Sequence, residues 1–357
     1  MDEPIAKKPT ILVTGAAGLI GARLLKVLGP RFDTVGLDIA LPRDKNDASD
    51  WIRCDLTDDE SVADALSLLR RKHGHTLVSV IHLAAHCDFS NEPSPLYHDL
   101  NVEGTRRLLQ GLKRFDVEQF ILASSLLVMK PARPDSRLVE NSPTQAEWDY
   151  PQSKLDAEAV VAEEHGRMPV LILRIAGVYD DDCRNVPIAQ QIKRIYEKNL
   201  ESYIFPGHPD RGQSFVHLED LTDCIVRAVA HRNQLRPYKL LLVGEPGVVT
   251  YESLQDRIGQ SLHARAWPTI RVPKAVAKVG AWIEEAILDK DDFIKPWMID
   301  LADAHYPVDP SRAREKLGWV PHHSLRETLD IMLDRLKQNP RRWYALNGLP
   351  TAEIPEA

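Results

Sequence analysis

Over the first half of the chain, short and uniformly apolar runs alternate with longer segments whose apolar residues recur every three or four positions. The first run, Ile11-Leu12-Val13, carries no polar alternation, the pattern of a parallel strand buried on both faces. Leu19, Leu24, Leu25, Val27 and Leu28 then follow at helical spacing. A second strand is predicted over Thr34-Val35-Gly36-Leu37, and a third ending just before Asp55-Leu56. Thr57 and Glu60 have the spacing of a capping box and predict a helix through Leu69. Leu77 to Ala85 reads as a strand, Asn101 to Leu112 as a helix and Phe120-Ile121-Leu122-Ala123 as a strand. Tyr150 to about Glu164 reads as a helix leading into the strand Val170-Leu171-Ile172-Leu173. This β-α-β alternation predicts an α/β fold, a doubly wound parallel sheet with right-handed crossovers.

After Gly177 the pattern changes, and helical spacing outnumbers strand-like runs. Two segments still have the character of the sheet domain, the helix Asp220 to Ala230 and the strand Lys239 to Val243. Asp309-Pro310 with Gly318 brackets a short helix, an N-cap, first turn and stop in order. Ser324 and Glu327 form another capping box, opening a helix with Leu325, Leu329, Met332, Leu333 and Leu336 on one face and ending before Pro340. Ala275 to Leu288 is a further apolar helix carrying Trp282, read as core packing ahead of a face for a partner or lipophilic substrate. The expected division is a sheet domain over 8–177 with a return segment 214–244, a smaller helical lobe over 178–213 and 245–340, and a C-terminal tail over 341–357.

Composition narrows the class. With 357 residues, 43% hydrophobic and 27% charged, the chain can bury a sizeable core. A net charge of -7 gives no reason to expect nucleic acid or an anionic membrane as partner. The stretch Met1 to Pro9 lacks the apolar centre of an export signal, and no apolar run reaches membrane-spanning length. Cys54, Cys87, Cys183 and Cys224 show neither paired nor metal-like spacing, so no metal is expected and a reducing cytoplasm is the expected setting. Cys183, beside Asp180, Asp181 and Asp182, is read as an incidental loop thiol.

Chemistry concentrates in two places. Thr14-Gly15-Ala16-Ala17-Gly18-Leu19-Ile20-Gly21 lies between the first strand and the first helix, where glycines permit a tight turn, close approach of a pyrophosphate and close packing. Asp38, about twenty residues on and at the end of the second strand, suits an adenosine ribose and would repel a 2′-phosphate, so NAD is expected over NADP. The second place is Tyr150-Pro151-Gln152-Ser153-Lys154, preceded by Ser124-Ser125 at a strand end. Four positions apart on a helix, Tyr150 and Lys154 share a face. A nearby ammonium favours the phenolate, and a phenol so tuned can exchange a proton with an alcohol or ketone. Ser125 would hold the same oxygen.

On these residues the chain resembles the extended short-chain dehydrogenase/reductases, the NAD-dependent epimerase/dehydratase family, from about Thr10 to Leu336. Further matching pieces are His82-Leu83-Ala84-Ala85, Asn101-Val102-Glu103-Gly104-Thr105, Leu173-Arg174 with Gly177-Val178-Tyr179, Phe215 to Leu221, and Asp309 through Leu317-Gly318-Trp319-Val320-Pro321. The resemblance implies a Rossmann-type sheet and NAD held by Gly15, Ala17, Gly18, Leu19, Ile20, Gly21, Asp38, Asp55, Leu56, Leu83, Ala84, Ala85, Tyr150 and Lys154. Asp55 would meet the adenine amino group, with Leu56 lining its pocket and Ala84 and Ala85 beneath the cofactor. Catalysis would fall to Ser125, Tyr150 and Lys154, with Asn101 holding a water in the proton relay. His82 is read as a packed histidine, and His217 with Asp220 as strand-end and helix-cap structure. The family also implies a homodimer through two helices that here include Val102 to Leu112 and Leu155 to Glu164.

Departures from the family pattern bear on the substrate. Leu126 and Leu127 stand where dehydratases of the family carry an acidic pair, so elimination of water is discounted. Val128-Met129-Lys130 replaces the usual Val-Tyr-Gly. Gln213 occupies the place of one diphosphate-binding arginine, and Met298 or Ile299 that of a second; Arg211 is displaced by two residues. The expected activity is oxidoreduction or epimerisation at a secondary alcohol or ketone of a sugar or sugar derivative. A steroid-like, flavonoid-like or other lipophilic hydroxy compound is the alternative substrate. A dinucleotide-binding regulatory protein without turnover is the reading from a different class, opposed by the intact serine, tyrosine and lysine.

Overall fold

The computed structural model describes residues 8–40, 49–88, 92–235, 237–277, 298–299, 301–351 and 354. Seven strands form one parallel sheet: β1 Thr10–Thr14, β2 Asp33–Asp38, β3 Asp50–Arg53, β4 Ser79–His82, β5 Phe120–Ser125, β6 Val170–Ile175 and β7 Tyr238–Val243, in the order β7-β6-β5-β4-β1-β2-β3. The order reverses between β1 and β4, the switch point at which ligands bind in such sheets. Alternation across the pleat explains why β1 is apolar throughout. Ile11 and Val13 join one core with Leu24, Leu25, Leu221, Cys224 and Ile225, whereas Leu12 joins another with Val62, Leu66, Leu108, Val160 and Val161. Helices on both faces therefore cover the sheet: α1 Leu19–Leu28, α2 Asp59–His73, α3 Glu103–Leu112, α4 Asp149–Glu164 and α5 Leu218–Ala230.

A third core gathers the helices that follow. Val186–Tyr196, Tyr251–His263 and Leu325–Gln338 bury Ile188, Ile192, Leu254, Ile258, Leu329, Met332 and Leu333 together with Trp267. Ser324 caps the last of these helices as the spacing implies, accepting from Glu327 N–H at 3.4 Å, while Glu327 Oε2 takes the Ser324 hydroxyl at 2.9 Å in place of the backbone N–H of a full capping box. Three expectations are corrected. Asp58, not Thr57, caps α2, accepting from Ser61 N–H at 2.7 Å, because the Thr57 hydroxyl is spent on Asp55 Oδ1 at 2.7 Å. Pro310, not Asp309, is the cap residue of the helix Ser311–Leu317. The segment from 341 is no free tail. Asn339 and Pro340 open a helix, Pro340–Leu346, whose Trp343 and Tyr344 enter the third core. The Ala275 to Leu288 expectation lies, from residue 278 on, outside the described residues.

Glu245, just past β7 and 6% exposed, ties the sheet to the third core. It accepts from the Tyr179 hydroxyl at 2.8 Å and from Leu325 N–H at 3.0 Å. Burial pushes its pKa up to about 7, so the folded protein holds this proton at pH values where the unfolded chain has lost it. Stability should therefore fall as pH rises from about 4.3 through about 7, by about 3 kcal/mol. Glu245→Gln removes the charge while its oxygen can still accept from Leu325 N–H and its amide can donate to the Tyr179 oxygen, so it should melt higher than the parent at about pH 8 and alike at about pH 4. Equal melting at both pH values would show that Glu245 carries no buried charge.

Candidate active site

The glycine turn is shaped by close contacts that leave no room for side chains. Gly15 sits at φ +66°, and a Cβ there would lie 2.7 Å from Ala84 N. A Cβ on Gly21 would overlap the Gly15 carbonyl, so the first turn of α1 can rest on the loop. The cap residue Gly18 brings no side chain to the start of α1, which leaves its first amides to an anion. Asp38 closes this cradle from β2: Oδ2 accepts from Ala17 N–H at 2.9 Å and Oδ1 from Ala40 N–H at 3.0 Å. The geometry fits a dinucleotide, with the pyrophosphate on the Gly15–Gly21 loop and a ribose at Asp38. NAD should bind at least about tenfold more tightly than NADP, about 1.4 kcal/mol, and Asp38→Ala should narrow the gap. Equal affinities of the unaltered protein by calorimetry would contradict this role for Asp38.

Around the adenine end the structure separates two residues that the sequence placed side by side. Asp55 Oδ1 is taken by Thr57, and these bonds hold its carboxyl below the usual range; Oδ2 remains to accept from an amino group. Leu56 is 3% exposed and belongs to the core beneath, so it offers little surface to an adenine. Ile39, 57% exposed and beside Asp38, shares a cavity with Arg53 and Asp55. That apolar surface was not singled out in the sequence.

Past β4 the chain is pinned by a directional hydrogen-bond chain. Ala84 N–H donates to Thr14 Oγ1 at 3.2 Å, and Thr105 Oγ1 donates to the Asn101 carbonyl at 2.6 Å. The Thr105 proton is spent there, so His82 Nε2 must donate to Thr105, 3.0 Å away, and a neutral ring then leaves Nδ1 to accept from the Thr14 hydroxyl, 2.7 Å away. His82 is thus a neutral packed histidine, its pKa pushed down to about 3 by burial and by the Lys154 charge. The Asn101 side chain accepts from His86 N–H at 2.7 Å and donates to the His86 carbonyl at 3.0 Å and to Ser153 Oγ at 2.9 Å. Both amide protons are thus engaged, and the second lone pair of Oδ1 is the side-chain group left to meet a water. Leu83, Ala84 and Ala85 lie at intermediate exposure beside the glycine turn.

On α4, Tyr150 and Lys154 stand one turn apart. Ser125, at the end of β5, and Cys87 are the nearby side chains that act on the Tyr150 hydroxyl. Ser125 Oγ also accepts from Leu127 N–H at 3.2 Å, which frees its own proton for the phenol oxygen. Lys154 is 5% exposed, and burial pushes its pKa down to about 8 against the pull of Cys87 and Glu158. Burial pushes the Tyr150 phenol up, Cys87 adds to the rise, and the Ser125 hydrogen bond opposes it. The expected lowering by lysine is therefore outweighed in the protein alone, and the resting phenol is protonated.

One turn past Lys154, Glu158 locks α4 onto the sheet. It accepts from Ser124 Oγ at 2.5 Å and from Arg174 Nε at 3.0 Å and Nη2 at 2.8 Å. The sequence shows Arg174 only as part of a motif and gives no sign of Glu158; a carboxylate facing inward one turn after Lys154 was the available signal. Cys183 is buried and its thiol pushed up chiefly by that burial, with Asp180 a lesser cause. Gln213 lies in a short ladder with Val249, and Ile299 is buried. Arg211 lies 3.9 Å from Asp210. Among the described residues no group of three or more His, Cys, Asp or Glu is placed to hold a metal, and no helix is long and apolar enough to cross a membrane.

Comparison with known proteins places this geometry in a family. The chain is 30% identical over 332 residues to N-acetyl-alpha-D-glucosaminyl-diphospho-ditrans,octacis-undecaprenol 4-epimerase of Escherichia coli O157:H7, spanning 90% of this chain and 94% of that protein. It is 29% identical to 3 beta-hydroxysteroid dehydrogenase type 7 of Mus musculus, over 90% of this chain and 95% of the relative. UDP-glucuronic acid 4-epimerase from Bacillus cereus, solved with UDP-glucuronic acid and NAD, superposes with a TM-score of 0.69 at 20% identity, covering 92% of this chain and 99% of that one. The fold is thus shared with a protein solved with NAD bound. The model of the NAD dependent epimerase/dehydratase family matches residues 11–244, and the chain belongs to that family, an enzyme with a Rossmann-type sheet and NAD as its cofactor.

Proposed function

We propose that this enzyme oxidises, reduces or epimerises a secondary carbinol of a sugar derivative, with Tyr150 exchanging the carbinol proton. The observation that carries this reading is that Ser125 lies close enough to act on the Tyr150 hydroxyl while Lys154 lies buried one turn on. Bound NAD supplies the hydride acceptor. Tyr150, protonated at rest, can hand its proton to a ketone oxygen and take one back from the alcohol. Ser125 orients that oxygen, and the Lys154 charge favours the phenolate when it forms. Leu126 and Leu127 follow Ser125 directly, with no carboxylate to assist loss of water.

Gln213 and buried Ile299 favour a second reading, in which the substrate has no nucleoside diphosphate and can be lipophilic. A charge-assisted bond to a diphosphate contributes about 1.5–3 kcal/mol, and neither side chain supplies one. The test is a substrate panel read by NADH absorbance, beside calorimetric titration of NAD-saturated protein with UDP, GDP, dTDP and their glucose conjugates. Turnover of a free sugar acid, polyol or lipophilic alcohol with no detectable nucleotide binding is expected. Low micromolar binding of any of these nucleotides would return the substrate to the nucleotide sugars. No turnover with any carbinol would overturn the reading itself.

A further inference from the structure

His82 is 2% exposed and takes no part in the proton exchange at Tyr150, yet both of its ring nitrogens are bonded. It stands at the end of β4, its ring against Phe120 with centroids 5.9 Å apart. On one side, Nδ1 accepts from Thr14 Oγ1 at 2.7 Å, and that oxygen accepts from Ala84 N–H at 3.2 Å. Ala84 N is the atom that a Cβ on Gly15 would meet at 2.7 Å, so this side belongs to the dinucleotide cradle. On the other side, Nε2 donates to Thr105 Oγ1 at 3.0 Å, and Thr105 donates to the Asn101 carbonyl at 2.6 Å. The Asn101 side chain then donates to Ser153 Oγ at 2.9 Å, and Ser153 donates to the Tyr150 carbonyl at 2.8 Å. Thr14, Thr105, Asn101 and Ser153 are each 4% exposed or less, so a lost partner leaves a buried polar group unpaired. A continuous run of buried polar contacts thus joins the glycine turn to the first turn of α4, which carries the phenol.

We propose that His82 is a positioning residue for Tyr150, its ring setting Thr105 and Asn101, and through Ser153 the first turn of α4, against the glycine turn. The inference rests on Tyr150 being the proton-exchanging group. An apolar ring would fill the same space against Phe120. What the imidazole adds is a donor and an acceptor on one rigid plane, which fixes the separation of the two hydroxyls it joins. The direction of the run requires a neutral ring, because a protonated Nδ1 could not accept from Thr14. Burial and the Lys154 charge keep it neutral. Bound dinucleotide and substrate oxygen must meet at Tyr150, and a misplacement of about 1 Å can cost about 10²-fold in rate.

Asparagine and glutamine divide the two bonds of the ring. An asparagine oxygen reaches about as far as Nδ1 and can accept from Thr14, but its amide stops short of Thr105; glutamine reaches as far as Nε2 and can donate there. His82→Asn should lower kcat by about tenfold or more with the Kd for NAD unchanged, and His82→Gln should stay within about threefold of the parent. His82→Asn at the full rate, equal impairment of the two variants, or a loss confined to NAD affinity would overturn the proposal. A second pair leaves the histidine in place and carries the test if His82→Asn does not fold. Thr105→Val keeps the shape without the hydroxyl and should reproduce the loss of kcat, whereas Thr105→Ser should not; Thr105→Val at the full rate would also overturn it. One readout needs no turnover. Nitrogen NMR of the histidine-labelled parent should show His82 as the neutral Nε2–H tautomer from about pH 5 to about pH 8, across the ordinary titration of a histidine. An Nδ1–H tautomer or a protonated ring there would reverse the run and overturn the inference. Full activity of Tyr150→Phe fails the proposed function; full activity of His82→Asn beside an inactive Tyr150→Phe fails this inference alone.

Discussion

Tyr150→Phe is expected to cut turnover by about 10²- to 10⁴-fold while leaving NAD binding nearly intact, the scale of a lost acid/base group. The substitution removes one oxygen from a ring that keeps its packing, including the tilted contact with Trp148 at 5.6 Å. The cradle at Gly15, Gly18 and Asp38 is untouched, and Lys154 keeps its place one turn on. The loss should therefore appear in kcat and in kcat/KM alike, the signature of an interaction made only in the transition state. Lys154→Met is the informative contrast. It removes a buried charge that favours the phenolate and that the family resemblance also places on the nicotinamide ribose, so it should weaken both turnover and cofactor binding. Single-turnover absorbance at NADH, with calorimetry for NAD, separates the two. Near-normal turnover of Tyr150→Phe on a true substrate would remove Tyr150 from the chemistry.

How much of this was legible in the sequence depended on the range of the physical constraint. The glycine turn could be read because its geometry is local, and Gly15 and Gly21 leave no space for a Cβ within a few residues of each other or against Ala84. The strands could be read because burial on both faces forbids polar alternation, as at Ile11, Leu12 and Val13. Helix starts were less certain, since several candidates for one cap sit side by side. At α2, Thr57 and Asp58 both qualified, and the deciding fact was the bond between Thr57 and Asp55. At the C-terminus, Pro340 ended one helix and opened another, because Asn339 accepts from Arg342 N–H at 3.0 Å. Tertiary pairs left the faintest trace. The sequence does not show that the Asn101 amide holds the backbone of His86. Burial also decides the direction at Tyr150, since desolvation disfavours the charged phenolate and is the largest cause of the rise.

The Glu158–Arg174 pair is the least visible feature in the sequence and the one whose disruption should cost the most stability. Its side chains are 10% and 7% exposed, and each carboxylate oxygen is engaged, with Arg174 bound at two nitrogens. Replacing such a pair with apolar groups is often neutral, whereas deleting one partner strands a buried charge at about 3–5 kcal/mol. Glu158→Ala should therefore destabilise the protein by about 3–5 kcal/mol, leaving the Arg174 guanidinium and the Ser124 hydroxyl without their acceptor. The double variant Glu158→Gln with Arg174→Met removes both charges and keeps an oxygen for Ser124, and it should return to within about 1 kcal/mol of the parent. Denaturant melts of the parent, Glu158→Gln, Arg174→Met and the double variant give the coupling directly. The site adds a second readout. Glu158 fixes α4 one turn beyond Lys154, and Ser124 precedes Ser125, so the destabilised single variant should lose turnover even where it remains folded. The neutral pair should recover it, because geometry and not charge is what the link supplies. A single variant as stable as the parent, or a double variant no better than Glu158→Ala, would show that α4 is held on the sheet by its apolar face alone.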